Sequence, residues 1–153
     1  MLQSCNILSF DMSKKKLFPV ANGKTTLGMH LMLDAYDVPF DRLNDMKLIY
    51  KFLYEIPEKI GMCRLSTPLI ANADESASHR DPGGISGVIL IKESHISIHT
   101  FAKRGFFTFD LYSCSNFENH VTALLRYVKK TFPFKKHELQ IVKRGLQYPT
   151  INK

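Results

Sequence analysis

Residues 85–114, ISGVILIKESHISIHTFAKRGFFTFDLYSC, decide the fold. Three strand-like runs lie inside them: ISGVILIK (85–92), HISIHTF (95–101) and FFTFDLYSC (106–114). In the middle run Ile96 and Ile98 alternate with His95, Ser97 and His99, a period of two that gives a strand one apolar and one polar face. AKRG (102–105) supplies a turn between the last two runs. Taken alone, the histidines read as the wet side of a half-exposed strand.

Outward from this core the periods change. SNFE (115–118) has the form of a capping box, Ser115 with Glu118 three residues on. It predicts a helix whose apolar positions Phe117, Val121, Leu124, Leu125, Val128 and Phe132 fall at helical spacing. HELQIVKRG (137–145) closes the chain with a strand, and GMHLMLDAY (28–36) alternates as one near its start. NDMKLIYKFLYEIPEKIG (44–61) predicts a helix capped by Asn44 or Asp45, with an apolar stripe of Leu48, Ile49, Phe52, Leu53 and Ile56. Pro57 is expected to kink or end it, and Gly61 to terminate it. RLSTPLIA (64–71) is a weaker strand, and Asn72 to Gly84 reads as a loop. Residues 1–24 have no period and form an irregular or mobile arm before a single domain, 25–153. The expected class is α+β, a two-layer α/β sandwich in which an antiparallel sheet carries two helices on one face. The other face then bears His95, Ser97, His99, Thr108, Asp110, Tyr112 and Cys114, a place for an active site or a partner subunit.

Composition bounds the function. A chain of 153 residues with 44% hydrophobic and 23% charged residues suits one globular domain with a real core. No apolar run approaches the ~20 residues that span a bilayer, and Lys14, Lys15 and Lys16 follow the first apolar residues, unlike a signal peptide. Three cysteines without a CxxC pair argue against a disulfide framework and for a reducing cytoplasm. The net charge of +7 invites a nucleic-acid partner, but the basic residues are scattered and no recognition motif accompanies them.

Three chemistries can be tested against the polar face. His95 and His99 lie four residues apart, roughly 13 Å along a strand at ~3.3 Å per residue, too far to share a metal ion, so none is expected. No GxSxG elbow supports a Ser-His-Asp hydrolase, and folds that carry pyridoxal phosphate are much larger. A self-processing site remains open at Glu93–Ser94, the junction of two strand-like runs. In a strained turn the Ser94 hydroxyl can attack the Glu93 carbonyl and form an ester. Elimination would cut the chain and leave an N-terminal pyruvoyl group, whose ketone forms a Schiff base with an amino-acid substrate. Periodicity alone does not select this chemistry.

A resemblance does. GGISGVILIKESHISIHTF (83–101) followed by GFFTFDLYSC (105–114) is very similar to the signature of the small prokaryotic S-adenosylmethionine decarboxylases, pyruvoyl-dependent enzymes of polyamine biosynthesis. The likeness extends through GMHLMLDAYDV and VKRG, and so over roughly residues 26–149. It implies self-cleavage between Glu93 and Ser94, with Ser94 becoming the pyruvoyl cofactor. It further implies His99 as the processing base, Ser86 as its partner in stabilising the intermediate, and Cys114 as the acid that protonates the product carbon. His95 and Ser97 are expected to line the substrate site, and the resemblance implies a homodimer whose sheets meet.

Two positions depart from the family. Where many members carry a ribose-binding glutamate in an aromatic-Pro-Glu segment, this chain has Lys103 in FAK, and Arg80 stands where a stacking aromatic is common. A lysine cannot accept hydrogen bonds from ribose hydroxyls. S-adenosylmethionine stays the expected substrate despite these departures, because Lys103 falls in the predicted hairpin turn, where its side chain can point to solvent; arginine or ornithine is the alternative. An unprocessed basic binding protein is the remaining reading.

Overall fold

The computed structural model describes residues 8–10, 26–73, 83–146 and 148. Its centre is a seven-stranded, wholly antiparallel sheet in the order β1-β7-β2-β6-β5-β4-β3. The strands are β1 (Leu8–Phe10), β2 (Gly28–Tyr36), β3 (Leu69–Ala73), β4 (Gly84–Ile91), β5 (Ser94–Phe101), β6 (Phe106–Ser113) and β7 (Lys136–Arg144). Among the described residues three α-helices accompany them: the single turn α1 (Phe40–Leu43), α2 (Met46–Lys59) and α3 (Val121–Thr131).

The period-two pattern folds as its chemistry demands. Met29, Leu31 and Leu33 of β2, Ile96 and Ile98 of β5, and Phe107, Phe109 and Leu111 of β6 are all buried on one face. On that face α2 lays Ile49, Phe52, Leu53 and Ile56, and α3 lays Leu124 and Val128. Phe52 is the hub of this layer: its ring stacks on Tyr127 and meets Phe109 and Phe132 edge-on. Truncating so large a buried ring would cost on the order of 3–5 kcal/mol. The expected sandwich, with helices on one side of the sheet, is what forms.

Several local expectations change. Asp45 caps α2, its carboxylate accepting from the Leu48 amide at 3.0 Å. Pro57 sits inside the last turn, and the helix runs on to Lys59. Proline lacks a donor but keeps its carbonyl, which accepts from the Ile60 and Met62 amides and closes the helix. Gly61 then reverses the chain at φ +72°. Ser115 does not cap α3. Its amide donates to Ser113 Oγ at 2.9 Å, Asn116 Oδ1 accepts from the Glu118 amide instead, and a short 3₁₀ turn precedes the α-helix. The chain there is still leaving β6, and α3 starts after that turn without a side-chain cap. Within the expected N-terminal arm, residues 8–10 form β1 on the sheet edge; the rest of 1–24 lies outside the described residues.

Candidate active site

The face that the helices leave uncovered is built by cross-strand register. His95 faces Tyr112, Ser97 faces Asp110, and His99 lies between Thr108 on β6 and Ser86 on β4. Alternation along each strand puts all of these on the polar side. Two clusters result, at opposite ends of β5.

The first surrounds His99. Ser86 Oγ and His99 Nδ1 share a hydrogen bond of 2.6 Å, and the ring of Phe101 meets the imidazole edge-on. Both residues line an open cavity of about 340 Å³ that also takes in Ser97, Thr108, Asp110 and the apolar Leu69 and Val88. Asp110 is held from the far side by His30, whose Nε2 lies 3.0 Å from its carboxylate. Asp34 stands on the same face, and burial together with Glu138 and Asp110 pushes its carboxyl above the usual range.

The second cluster lies at the start of β5. Ile91 pairs with Ser94, so β4 and β5 are joined by a tight turn at Lys92–Glu93. Ser94 has φ +155°, a conformation that non-glycine residues rarely adopt. Regular alternation would turn its side chain to the core face with Ile96. Instead Ser94 Oγ lies 3.0 Å from His95 Nδ1, a contact that neighbours on an ordinary strand cannot make. The carbonyl oxygen of Glu93 accepts a hydrogen bond from the Cys114 backbone amide at 3.1 Å, and the Cys114 thiol is exposed. A hydroxyl beside an imidazole, next to a carbonyl held by a fixed donor, is an arrangement that can support an intramolecular acyl shift.

Of the residues singled out in the sequence, the structure pairs Ser86 with His99 and Cys114 with Glu93. It does not bring His99 to Ser94. Five residues of extended chain separate them, about 17 Å at ~3.3 Å per residue. Ser97 lines the cavity and His95 does not. Lys103 is exposed in the turn after β5 and is not among the cavity's lining residues. Arg80 lies outside the described residues. Sequence reasoning missed two participants. His30 was detectable, because it alternates onto the polar face of β2. The Cys114 amide was not, because a backbone donor leaves no mark on residue identity. Among the described residues no group of three or more His, Cys, Asp and Glu side chains is placed to hold a metal ion. No helix among them is long and apolar enough to cross a membrane.

Comparison with known proteins adds names to this geometry. The model of the family described as S-adenosylmethionine decarboxylase matches residues 29–145. The S-adenosylmethionine decarboxylase proenzyme of Persephonella marina is 33% identical over 121 residues, which are 78% of this chain and 84% of that protein. The proenzyme of the same name from Sulfurihydrogenibium sp. is 33% identical over 122 residues, 79% of this chain and 84% of its own. Among solved structures, the adenosylmethionine decarboxylase from Aquifex aeolicus superposes with a TM-score of 0.66 at 26% identity, covering 84% of this chain and 98% of that one.

Proposed function

The chain belongs to the S-adenosylmethionine decarboxylase family, and from that premise we propose that it decarboxylates S-adenosylmethionine after cutting itself between Glu93 and Ser94. It is a pyruvoyl-dependent carboxy-lyase made as a proenzyme, and its place is in polyamine biosynthesis. The readings as an arginine or ornithine decarboxylase, or as an unprocessed basic binding protein, gain nothing from these relatives.

The single observation that carries Ser94 as the source of the pyruvoyl group is its conformation. A serine at φ +155° follows a carbonyl held by the Cys114 amide. Ser94 Oγ attacks the Glu93 carbonyl carbon, and the oxygen takes up negative charge against that amide. The C–N bond breaks to leave an ester. Loss of the Ser94 α-proton then expels the Glu93 carboxylate, and hydrolysis of the resulting dehydroalanine releases ammonia. The ketone so formed would supply an electron sink for decarboxylation of a substrate bound through its amino group. The exposed Cys114 thiol is suited to return a proton to the product carbon. Asp110, a carboxylate in the cavity beside His99, suits a cationic substrate such as a sulfonium, whereas Lys103 stands outside that cavity. Ser97 shares the cavity wall.

The separation of about 17 Å along β5 argues for His99 acting outside its own chain. It serves a second copy of the chain: in a homodimer with polar sheet faces opposed, the Ser86–His99 pair of one protomer works on the Ser94 of the other. The uncovered face supports this arrangement.

Denaturing electrophoresis and intact mass test the cleavage. The parent should yield chains 1–93 and 94–153, and Ser94→Ala a single uncut chain. Cleavage of the alanine variant at the parental rate would place the bond elsewhere.

A further inference from the structure

We infer that His95 is the base for the first step of self-cleavage, accepting the Ser94 hydroxyl proton as the ester forms. The inference rests on the Glu93–Ser94 reading above and adds a division of labour between two histidines.

The contact is specific to the strained turn. Consecutive strand residues point to opposite faces, so His95 meets Ser94 Oγ at 3.0 Å only because φ +155° swings the serine out of the alternation. His95 is also placed without help from another copy. It lies on the same strand as the bond to be cut, while His99 is engaged by Ser86 at the far end. Tyr112, opposite His95 in register, has its ring centroid 6.0 Å from the imidazole, and His30 flanks Tyr112 at the same centroid distance. That row of rings limits where the imidazole can turn.

The proton balance closes within the turn. With Nδ1 unprotonated, His95 takes the hydroxyl proton as Oγ bonds to the Glu93 carbonyl carbon. The tetrahedral oxyanion faces the Cys114 amide 3.1 Å away in the uncut chain. When the C–N bond breaks, the departing Ser94 nitrogen recovers the proton from His95. No oxidant, reductant or second molecule is needed, and the step is an isomerisation. His99 is left the later task, loss of the Ser94 α-proton from the ester.

Time courses of cleavage test this, with hydroxylamine as a probe for accumulated ester. His95→Ala should be cut about 10²–10⁴-fold more slowly. Hydroxylamine should not accelerate it, because no ester has formed, and added imidazole should. His95→Asn keeps a hydrogen-bonding side chain without a usable base; it should melt with the uncut Ser94→Ala chain and show the same slow cleavage. His99→Ala should instead accumulate ester that hydroxylamine cleaves. Parental cleavage rates in both His95 variants, or prompt scission of His95→Ala by hydroxylamine, would overturn the assignment. An uncut parent, or a cut Ser94→Ala, would instead sink the cleavage reading itself, so the two failures are separable.

Discussion

Ser94 is held at φ +155°, in a region that costs a non-glycine residue about 1–3 kcal/mol. Beside it, Glu93 Oε2 is buried with no hydrogen-bond partner among the described residues, a second local cost. Both fall on the peptide bond proposed to be cut. In the proposed reaction Cys114 would join two steps through different atoms: its amide holds the Glu93 carbonyl, while its exposed thiol would serve the substrate. The consequence is a separation of function. Cys114→Ser keeps the amide and should still generate the 94–153 chain. Its decarboxylation of S-adenosylmethionine should fall by about 10²–10⁴-fold, the loss typical of a missing general acid. Full turnover would remove the thiol from the mechanism. At this scale it was the resemblance that singled out Ser94, Cys114 and Ser86 in the sequence. The strain and the His95 contact were not, because a dihedral angle is set by the closing of the β4–β5 turn against β6 and not by the identity of a serine.

Strands and helices were read well wherever period and burial agree. GMHLMLDAY became β2 with its predicted bounds, since every second residue packs under the helices. Termini were read less well, because they depend on which hydrogen bonds a neighbouring element has already claimed, as at Ser115. Gly28 shows the same dependence: a side chain there would overlap the Ser113 carbonyl oxygen, so only glycine lets β2 approach the strand end that carries Cys114. The central strands also bring like charges together. Asp34 of β2 lies directly opposite Glu138 of β7, an unfavourable antiparallel pair. Burial first, then Glu138 and Asp110, raise the Asp34 carboxyl above its ordinary value. An acid that holds its proton more tightly when folded favours the fold at low pH and loses that advantage as pH climbs through the folded value. Asp34→Asn should therefore match the parent near about pH 3, where the carboxyl is protonated in both states. It should melt higher than the parent at neutral pH. Thermal melts across that range measure it, and a variant no more stable at pH 7 than at pH 3, relative to the parent, removes Asp34 from the balance.

At the scale of the molecule, α2 and α3 seal one sheet face and the described residues leave the other open, with Ser94 and His99 at opposite ends of β5. The sequence disclosed which residues share that face and, through the strand period, how far apart they lie; the structure adds that β5 begins at Ser94, so Ser94 and His99 are held along one strand. A two-fold pair of sheets, running in opposite senses, would set each Ser94 against the partner's end of β5 that carries His99, giving two composite sites per dimer. Mixing two defective chains tests this directly. Ser94→Ala retains His99 but has no bond to cut, and His99→Ala retains the bond but lacks the base. Each should stay uncut alone. Co-expressed with distinguishable tags, they should form mixed dimers in which the His99→Ala chain alone is cleaved, into 1–93 and 94–153. Cleavage should stop at the share of that chain held in mixed dimers, about half for random pairing of equal amounts. If His99→Ala stays whole in mixed dimers isolated through both tags, His99 acts within its own chain. The straight β5 strand would then have to bend by several residues' length before processing.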